Sequence, residues 1–178
     1  MTQKDLLKML DYFDSLSMWS FSLGHIKMYF KDSDEKSIRV SLNRHCKNGI
    51  IKQCVRGIYV NPRGKKPLFY LEALASTIRD NATFYLSLET LLSELGLISQ
   101  MPNRMTFVSK GRSQTFFTPY GIIEFVHSAR NAQYFLNNCF FDRDRNIYIA
   151  SQQQAINDIY QHNRSIDLYE EQLKKENL

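Results

Sequence analysis

Residues 36–64, KSIRVSLNRHCKNGIIKQCVRGIYVNPRG, decide the fold expected for the first third of the chain. The stretch opens with a basic segment of helical character that stops before Gly49, because a residue without a Cβ suits the left-handed conformation that ends many helices. Residues 50–55 and 58–60 then have strand character, and Arg56-Gly57 between them predicts a tight turn. A helix, a reversal and a hairpin in this order predict the recognition helix and wing of a winged helix-turn-helix, a fold that binds duplex DNA.

The predicted helix has two faces of different chemistry. Ile38, Leu42, His45 and Cys46 share one face, which we expect to pack on two preceding helices near residues 3–16 and 23–30. The opposite face is free to enter a groove of DNA, and Arg39 lies on its flank. The candidate contacts on that face are Lys36, Ser37, Val40, Asn43, Arg44 and Lys47.

These side chains fall into two groups, those expected to contact base edges and those expected to contact phosphates. Ser37, Asn43 and Arg44 are candidates for base edges, since Asn pairs with adenine and Arg with guanine, and Val40 suits a thymine methyl group. Arg56 at the tip of the hairpin is expected near the backbone or the minor groove. The basic residues that we expect mainly at phosphates, where they fix the register without reading sequence, are Lys36, Arg39, Arg44, Lys47 and Lys52, with Arg63, Lys65 and Lys66 extending that contact.

Charge supports the same surface. Residues 1–66 hold 13 Lys and Arg against 6 Asp and Glu, whereas residues 67–178 hold 10 against 12. Basic charge that is confined to one third of a chain indicates a surface that binds phosphates. Charge that served solubility alone would be spread over the whole chain.

The remaining functional signals exclude most other classes. No apolar run is long enough to span a bilayer, and three cysteines without a CxxC pair favour a reducing cytoplasm and no disulfide framework. His25, His45, His127 and His162 are scattered, so we expect no metal site and no cofactor. Asp142 and Asp144 lie close enough in sequence for a nuclease, but the interleaved arginines favour a salt-bridged turn. The sequence therefore predicts a protein that is not an enzyme.

The pattern predicts two domains in an α+β protein. Residues 61–67, NPRGKKP, break the regular pattern and place the boundary between a winged helix-turn-helix over 1–66 and a mixed α/β C-terminal domain over 67–178. In the second domain we expect helices at 68–79 and 87–95, strands at 105–109, 115–118, 122–127 and 147–150, and a terminal helix from Ser165 to Leu178. Ser151 and Gln154 are expected to form a capping box for a further helix.

Several segments together resemble a known family. GIIKQCVRGIYVNP, at 49–62, is similar to the G-I-x-R-x-x-R-G-x-Y-x-x-P wing of AbiEi-family antitoxins, with Gln53 standing where the wing often has Arg. TFYLSLETLLSELGLISQMPNRMTFVSKGRSQTFFTPYGIIEFVH, at 83–127, resembles the helix ending in GL and the strand meander that follow in that family. YIASQQQAINDIY, at 148–160, resembles its later A-x-x-x-x-A-x-x-D segment.

The resemblance implies a function as well as a fold. It implies an N-terminal winged helix that binds an inverted-repeat operator in its own promoter, as a homodimer or as cooperative monomers. It also implies a C-terminal domain that helps to counteract a cognate toxin of the nucleotidyltransferase type, with or without direct contact. Such an antitoxin would act in abortive infection, a form of phage defence.

Three other functions fit parts of the same pattern. A stand-alone winged-helix transcriptional regulator with no toxin partner would share every residue of 1–66. A protein-interaction module would use the basic surface to grip an acidic partner, and would bind DNA without steep salt dependence. A nuclease would need Asp142 and Asp144 to lie close to a third acid.

Overall fold

The computed structural model describes residues 1–176 of the chain and divides it into two compact units, one of residues 1–78 and one that begins at Arg79. Within the described residues the fold is α+β, with eight helices and two sheets. The helix expected at 68–79 spans Tyr70–Ile78 and belongs to the first unit. The first unit therefore extends past the boundary expected at residue 66.

The first unit alternates short strands with helices. Its elements are α1 (Gln3–Ser15), β1 (Ser20–Ser22), α2 (Leu23–Tyr29), α3 (Glu35–Lys47), β2 (Lys52–Val55), β3 (Ile58–Val60) and α4 (Tyr70–Ile78). The three strands form an antiparallel sheet in the order β1-β3-β2, in which Ser20 and Lys52 both lie opposite Val60. The central strand of this sheet is therefore the second strand of the predicted hairpin.

An apolar cluster joins the first three helices to the small sheet. It is formed by Leu6, Met9, Leu10 and Phe13 of α1, Phe21 of β1, Ile26 of α2, Ile38 and Leu42 of α3, Ile51 and Tyr59. Every one of these side chains is less than 9% exposed, so α1 and α3 each bury an apolar face in this cluster. The inner face of α3 is thus fixed by the core, which leaves its other face to solvent.

The second unit is built on a larger mixed sheet. Its elements are β4 (Phe84–Leu86), α5 (Leu88–Glu94), β5 (Arg104–Ser109), β6 (Gln114–Thr118), β7 (Gly121–His127), α6 (Ala132–Asn138), β8 (Cys139–Asp142), β9 (Ile147–Ala150), α7 (Gln152–His162) and α8 (Ile166–Glu176). The six strands lie in the order β6-β7-β5-β4-β9-β8. β5 pairs parallel with β7 and β4 parallel with β9, while the other neighbours are antiparallel.

One predicted helix cap is only half present. Ser151 caps α7 as expected, because its side chain accepts a hydrogen bond from the backbone N–H of Gln154. The side chain of Gln154 does not return to Ser151; its Nε2 donates to Asp158 Oδ1 at 2.7 Å, and its Oε1 accepts from the Tyr134 hydroxyl at 2.7 Å. The capping box was therefore wrong in its second half, since buried polar partners compete for the amide.

The last described element is a helix. The helix expected from Ser165 to Leu178 is confirmed over Ile166–Glu176, and its last two positions, 177 and 178, lie outside the described residues. Each helix in residues 1–176 is too short or too polar to cross a bilayer.

Candidate nucleic-acid interface

α3 begins and ends at the residues that its sequence dictates. Asp34 is the N-cap, and its carboxylate accepts a hydrogen bond from the backbone N–H of Ser37 at 3.0 Å. The helix ends at the C-cap Asn48, and Gly49 follows with a φ of +70°, a conformation that costs little only without a Cβ. The helix start among the acids and its stop before Gly49 are both as predicted.

The centre of the exposed face of α3 consists of four side chains at helical spacing. Lys36, Val40, Asn43 and Lys47 are all exposed, and Val40 is 66% exposed. On the opposite side Ile38, Leu42 and His45 are buried. The face therefore presents two cations, an amide and a methyl-bearing side chain, a combination suited to the phosphates and base edges of a major groove.

The other predicted α3 contacts lie on its two flanks, where each already has an intramolecular partner. The hydroxyl of Ser37 donates to Asp34 Oδ2 at 3.3 Å, and Arg44 Nη2 donates to the backbone oxygen of Met1 at 3.2 Å. Arg39, on the other flank, donates from Nε and Nη2 to Glu35 Oε1 at 2.9 and 2.8 Å. The three side chains are exposed, so DNA would have to compete with these bonds to engage them.

The hairpin after α3 has the predicted short turn. Val55 lies opposite Ile58, so Arg56 and Gly57 form the turn, and Gly57 has a φ of +79°. Lys52 and Arg56 are exposed, whereas Cys54 and Ile58 are buried. The backbone oxygen of Gly57 accepts a hydrogen bond from Leu23 N–H at 2.8 Å, which ties the turn to the start of α2. The basic side chains of the hairpin therefore extend from a braced backbone.

The segment after β3 is held at its start and basic further along. Asn61 is 2% exposed; its amide nitrogen donates to the Asp14 carboxylate, and its Oδ1 accepts from Arg63 N–H at 3.1 Å. The side chains of Arg63 and Lys65 are exposed. Lys66 lies over the Tyr70 ring at 4.0 Å from the ring centroid, an arrangement typical of a cation–π contact. Arg63 and Lys65 thus face solvent, and Lys66 is engaged within the unit.

Sequence reasoning missed two members of the charged surface. Lys27 Nζ, in α2, donates to Glu35 Oε2 at 2.6 Å, and Glu35 also accepts from Arg39. The hydrogen bonds from Lys27 and then Arg39 lower the pKa of Glu35, so its carboxyl is an anion among the cations. The i,i+4 spacing of Glu35 and Arg39 could have predicted their ion pair. No sequence signal predicts that Lys27 of α2 reaches Glu35 across the turn between α2 and α3.

His45 is the buried titratable group of α3. It is 2% exposed, and the Met1 backbone beside the imidazole favours its protonated form. Burial, with a smaller effect of the neighbouring Arg44 charge, lowers the pKa of His45 below its ordinary 6.5. Burial thus favours the neutral imidazole, and its protonation would disturb the packing of α3.

We predict that this histidine makes the first unit less stable in acid. Because the unfolded chain takes up the proton first, the stability that neutral His45 provides is complete above pH 6.5 and is lost as the pH falls below it. His45→Leu keeps the apolar volume and removes the proton site, so its melting temperature should fall less than that of the wild type between pH 7.5 and 5, about the range in which histidine titrates. Parallel curves for the two proteins would contradict this role.

Of the two carboxylates considered for a nuclease, that of Asp142 is used in a turn. Asp142 Oδ1 accepts from the backbone N–H groups of Asp144 and Arg145, both at 2.9 Å, which closes the loop between β8 and β9. Arg145 Nη1 lies 2.9 Å from Glu94 Oε2, so this turn forms an ion pair with α5. In the described part of the chain no group of three His, Cys, Asp or Glu side chains is placed to hold a metal ion.

The second unit also contains a buried carboxylate that sequence reasoning missed. Asp158 is 1% exposed and accepts from Ser87 Oγ at 2.7 Å, Gln154 Nε2 at 2.7 Å and the Tyr85 hydroxyl at 3.3 Å. Burial raises the pKa of Asp158, against the lowering effect of these hydrogen bonds. Its partners come from β4, α7 and the residue before α5, so the network joins the sheet to two helices. Stabilisation of the fold is sufficient to account for this buried carboxylate.

No protein-family model matches the chain, and no curated protein matches it.

Proposed function

We propose that residues 1–78 form a winged helix that binds duplex DNA, with α3 as the recognition helix and the β2–β3 hairpin as the wing. The element order α1-β1-α2-α3-β2-β3 and the three-stranded antiparallel sheet support this proposal. A recognition helix of this kind lies in the major groove while its hairpin meets the flanking backbone. The excess of basic residues in 1–66 gives the electrostatic attraction that all such binding requires.

The observation that carries the proposal is the division of α3 into two faces. Ile38 and Leu42 are held by the core, so the exposed row of Lys36, Val40, Asn43 and Lys47 is presented on a rigid helix. A helix held this way can place side chains on base edges with little loss of conformational freedom. A merely solvated helix would need no such mixture of cations, amide and apolar methyl groups along one row.

We extend the proposal to the role implied by the AbiEi resemblance. The protein would repress its own operon from an inverted-repeat operator, as a homodimer or as two cooperative monomers, and would counteract a nucleotidyltransferase-type toxin encoded beside it. This role places it in the cytoplasm, without a cofactor and without catalysis of its own. The support is the order of the quoted motifs at 49–62, 83–127 and 148–160.

Two substitutions test sequence-specific binding. Arg44→Ala should cost about 1–3 kcal/mol in operator binding and relax the preference at one base position, because Arg reads guanine through two hydrogen bonds. Lys52→Ala should weaken binding to every duplex alike, since a phosphate contact carries no sequence information. Affinities for the upstream DNA and for single-base variants of it measure both. Equal loss across all sequences for Arg44→Ala would remove that residue from base reading.

A genetic experiment separates the antitoxin from the stand-alone regulator. The gene beside the coding sequence is expressed from an inducible promoter, with and without this protein, and growth is followed. Growth arrest by the neighbour and rescue by this protein support the antitoxin role. A harmless neighbour, together with repression of the protein's own promoter, would favour the stand-alone regulator.

A further inference from the structure

Glu35 is an acidic residue within an otherwise basic surface. It lies in the first turn of α3, and its carboxylate accepts hydrogen bonds from Lys27 in the last turn of α2 and from Arg39 one turn further along α3. The three side chains are 42–50% exposed. The carboxylate therefore joins the two helices at the surface where DNA would approach.

The two oxygens of Glu35 are divided between the two cations. Oε2 receives Lys27 Nζ at 2.6 Å, and Oε1 receives both Nε and Nη2 of Arg39, so each cation is turned towards the carboxylate. A phosphate that approached either cation would also meet the negative charge of Glu35. An exposed ion pair is weak, so phosphate competes with it incompletely rather than being excluded.

We propose that Glu35 is a positioning residue that holds Lys27 and Arg39 back from phosphates and so weakens the sequence-independent part of DNA binding. The inference rests on the proposed DNA binding. Phosphate contacts supply nearly all of the affinity for non-specific DNA, whereas base contacts add to them at the correct site. Two cations withheld by a carboxylate therefore reduce non-specific binding, and the register at the operator is still set by the centre of the α3 face.

The test is the salt dependence of binding to a scrambled duplex by the full chain. Glu35→Gln removes the charge while keeping the size of the side chain, and should release up to two phosphate contacts. Each released cation steepens the slope of log K against log salt by roughly 0.9 and raises affinity at 0.1 M salt roughly eightfold. The affinities for the scrambled duplex and for the upstream DNA should therefore both rise, by roughly eight- to sixty-fold.

Asp11→Asn is the matched control, because Asp11 is exposed on α1 and its loss changes the net charge equally. A purely structural role for Glu35 would lower the melting temperature and weaken DNA binding, so a gain in affinity separates the two roles. A rise for Glu35→Gln that is no larger than for Asp11→Asn overturns the proposal, as does a loss of affinity.

Lys27→Gln gives a second measurement should Glu35→Gln fail to fold. Because Lys27 is already withheld, this variant alone should keep the wild-type slope within about 0.3, well under the change of roughly 0.9 expected for one lost contact. A slope that falls by that full amount would show that Lys27 contacts phosphate despite Glu35 and would overturn the proposal. If the wild-type protein binds neither duplex, the proposed function itself fails, which is a different result from each of these.

Discussion

Replacement of both lysines at the centre of the α3 face, Lys36→Gln with Lys47→Gln, should weaken binding to all duplex DNA by roughly sixty-fold at 0.1 M salt. Each lysine is expected to neutralise one phosphate, so the slope of log K against log salt should become shallower by roughly 1.8. Both side chains are exposed, and the helix that carries them is fixed by its opposite face, so the melting temperature should change little. Fluorescence anisotropy with a labelled duplex measures the affinity and the slope together.

Lys110→Gln with Lys174→Gln is the matched control for that experiment. These lysines are exposed in the second unit, and their replacement removes the same charge. General attraction to DNA would lower the affinity of both double variants alike. A loss confined to the α3 pair supports a defined interface, whereas equal losses would contradict it.

Leu42→Ala should reduce the free energy of unfolding of the first unit by about 2–5 kcal/mol. Leu42 is fully buried in the cluster that joins α3 to α1 and α2, so the shorter side chain leaves a cavity where the recognition helix is anchored. The single tryptophan, Trp19, is 4% exposed and lies in the first unit, so its fluorescence during urea unfolding follows this unit. DNA binding should be lost in the same range of urea as the tryptophan signal.

Val40→Ala on the same helix should behave in the opposite way. Val40 is 66% exposed, so we expect a change in stability within about 0.5 kcal/mol. The loss of a methyl group facing thymine should nevertheless weaken binding to the correct site while leaving non-specific affinity unchanged. If Val40→Ala destabilised the unit as much as Leu42→Ala, the assignment of the two faces of α3 would be wrong.

The residues that formed predictable structure were those whose local chemistry decides their conformation. Asp34 and Gly49 set the ends of α3, and the predicted strand at 58–60 is confirmed. The division of α3 into buried and exposed faces followed from its 3.6-residue period, because Ile38 and Leu42 recur at that spacing. Local signals of this kind operate within a few residues and are readable from one sequence.

The elements that were not predicted depend on distant partners. β1 and β4 are strands of three residues each. All of β1 and most of β4 are buried, so neither shows the alternation of buried and exposed residues that marks a strand in a sequence. Each exists because a neighbouring strand supplies its hydrogen bonds, β3 for Ser20–Ser22 and β5 and β9 for Phe84–Leu86. α6 and β8 were missed as well, and β8 is an edge strand whose neighbour in the sheet is β9.

The candidate site also depends on distant partners that the sequence does not reveal. The sequence pattern placed Ser37 and Arg44 on the DNA-facing side of α3 together with Val40 and Asn43, but it did not show that Ser37 bonds to Asp34 and Arg44 to Met1. The contact of Arg44 with a residue 43 positions earlier arises only when α1 and α3 have packed. Side-chain partners across elements therefore need the folded chain.

The central claim is that the exposed face of α3 gives sequence-specific binding to duplex DNA. The most direct measurement is the affinity of the purified full chain for its own upstream DNA and for a scrambled duplex of equal length, across a salt series. We predict a preference of at least about a thousandfold for the upstream DNA, with a steep fall in affinity as salt rises. Weak and equal binding to both duplexes would contradict the claim and move the search for function to the second unit.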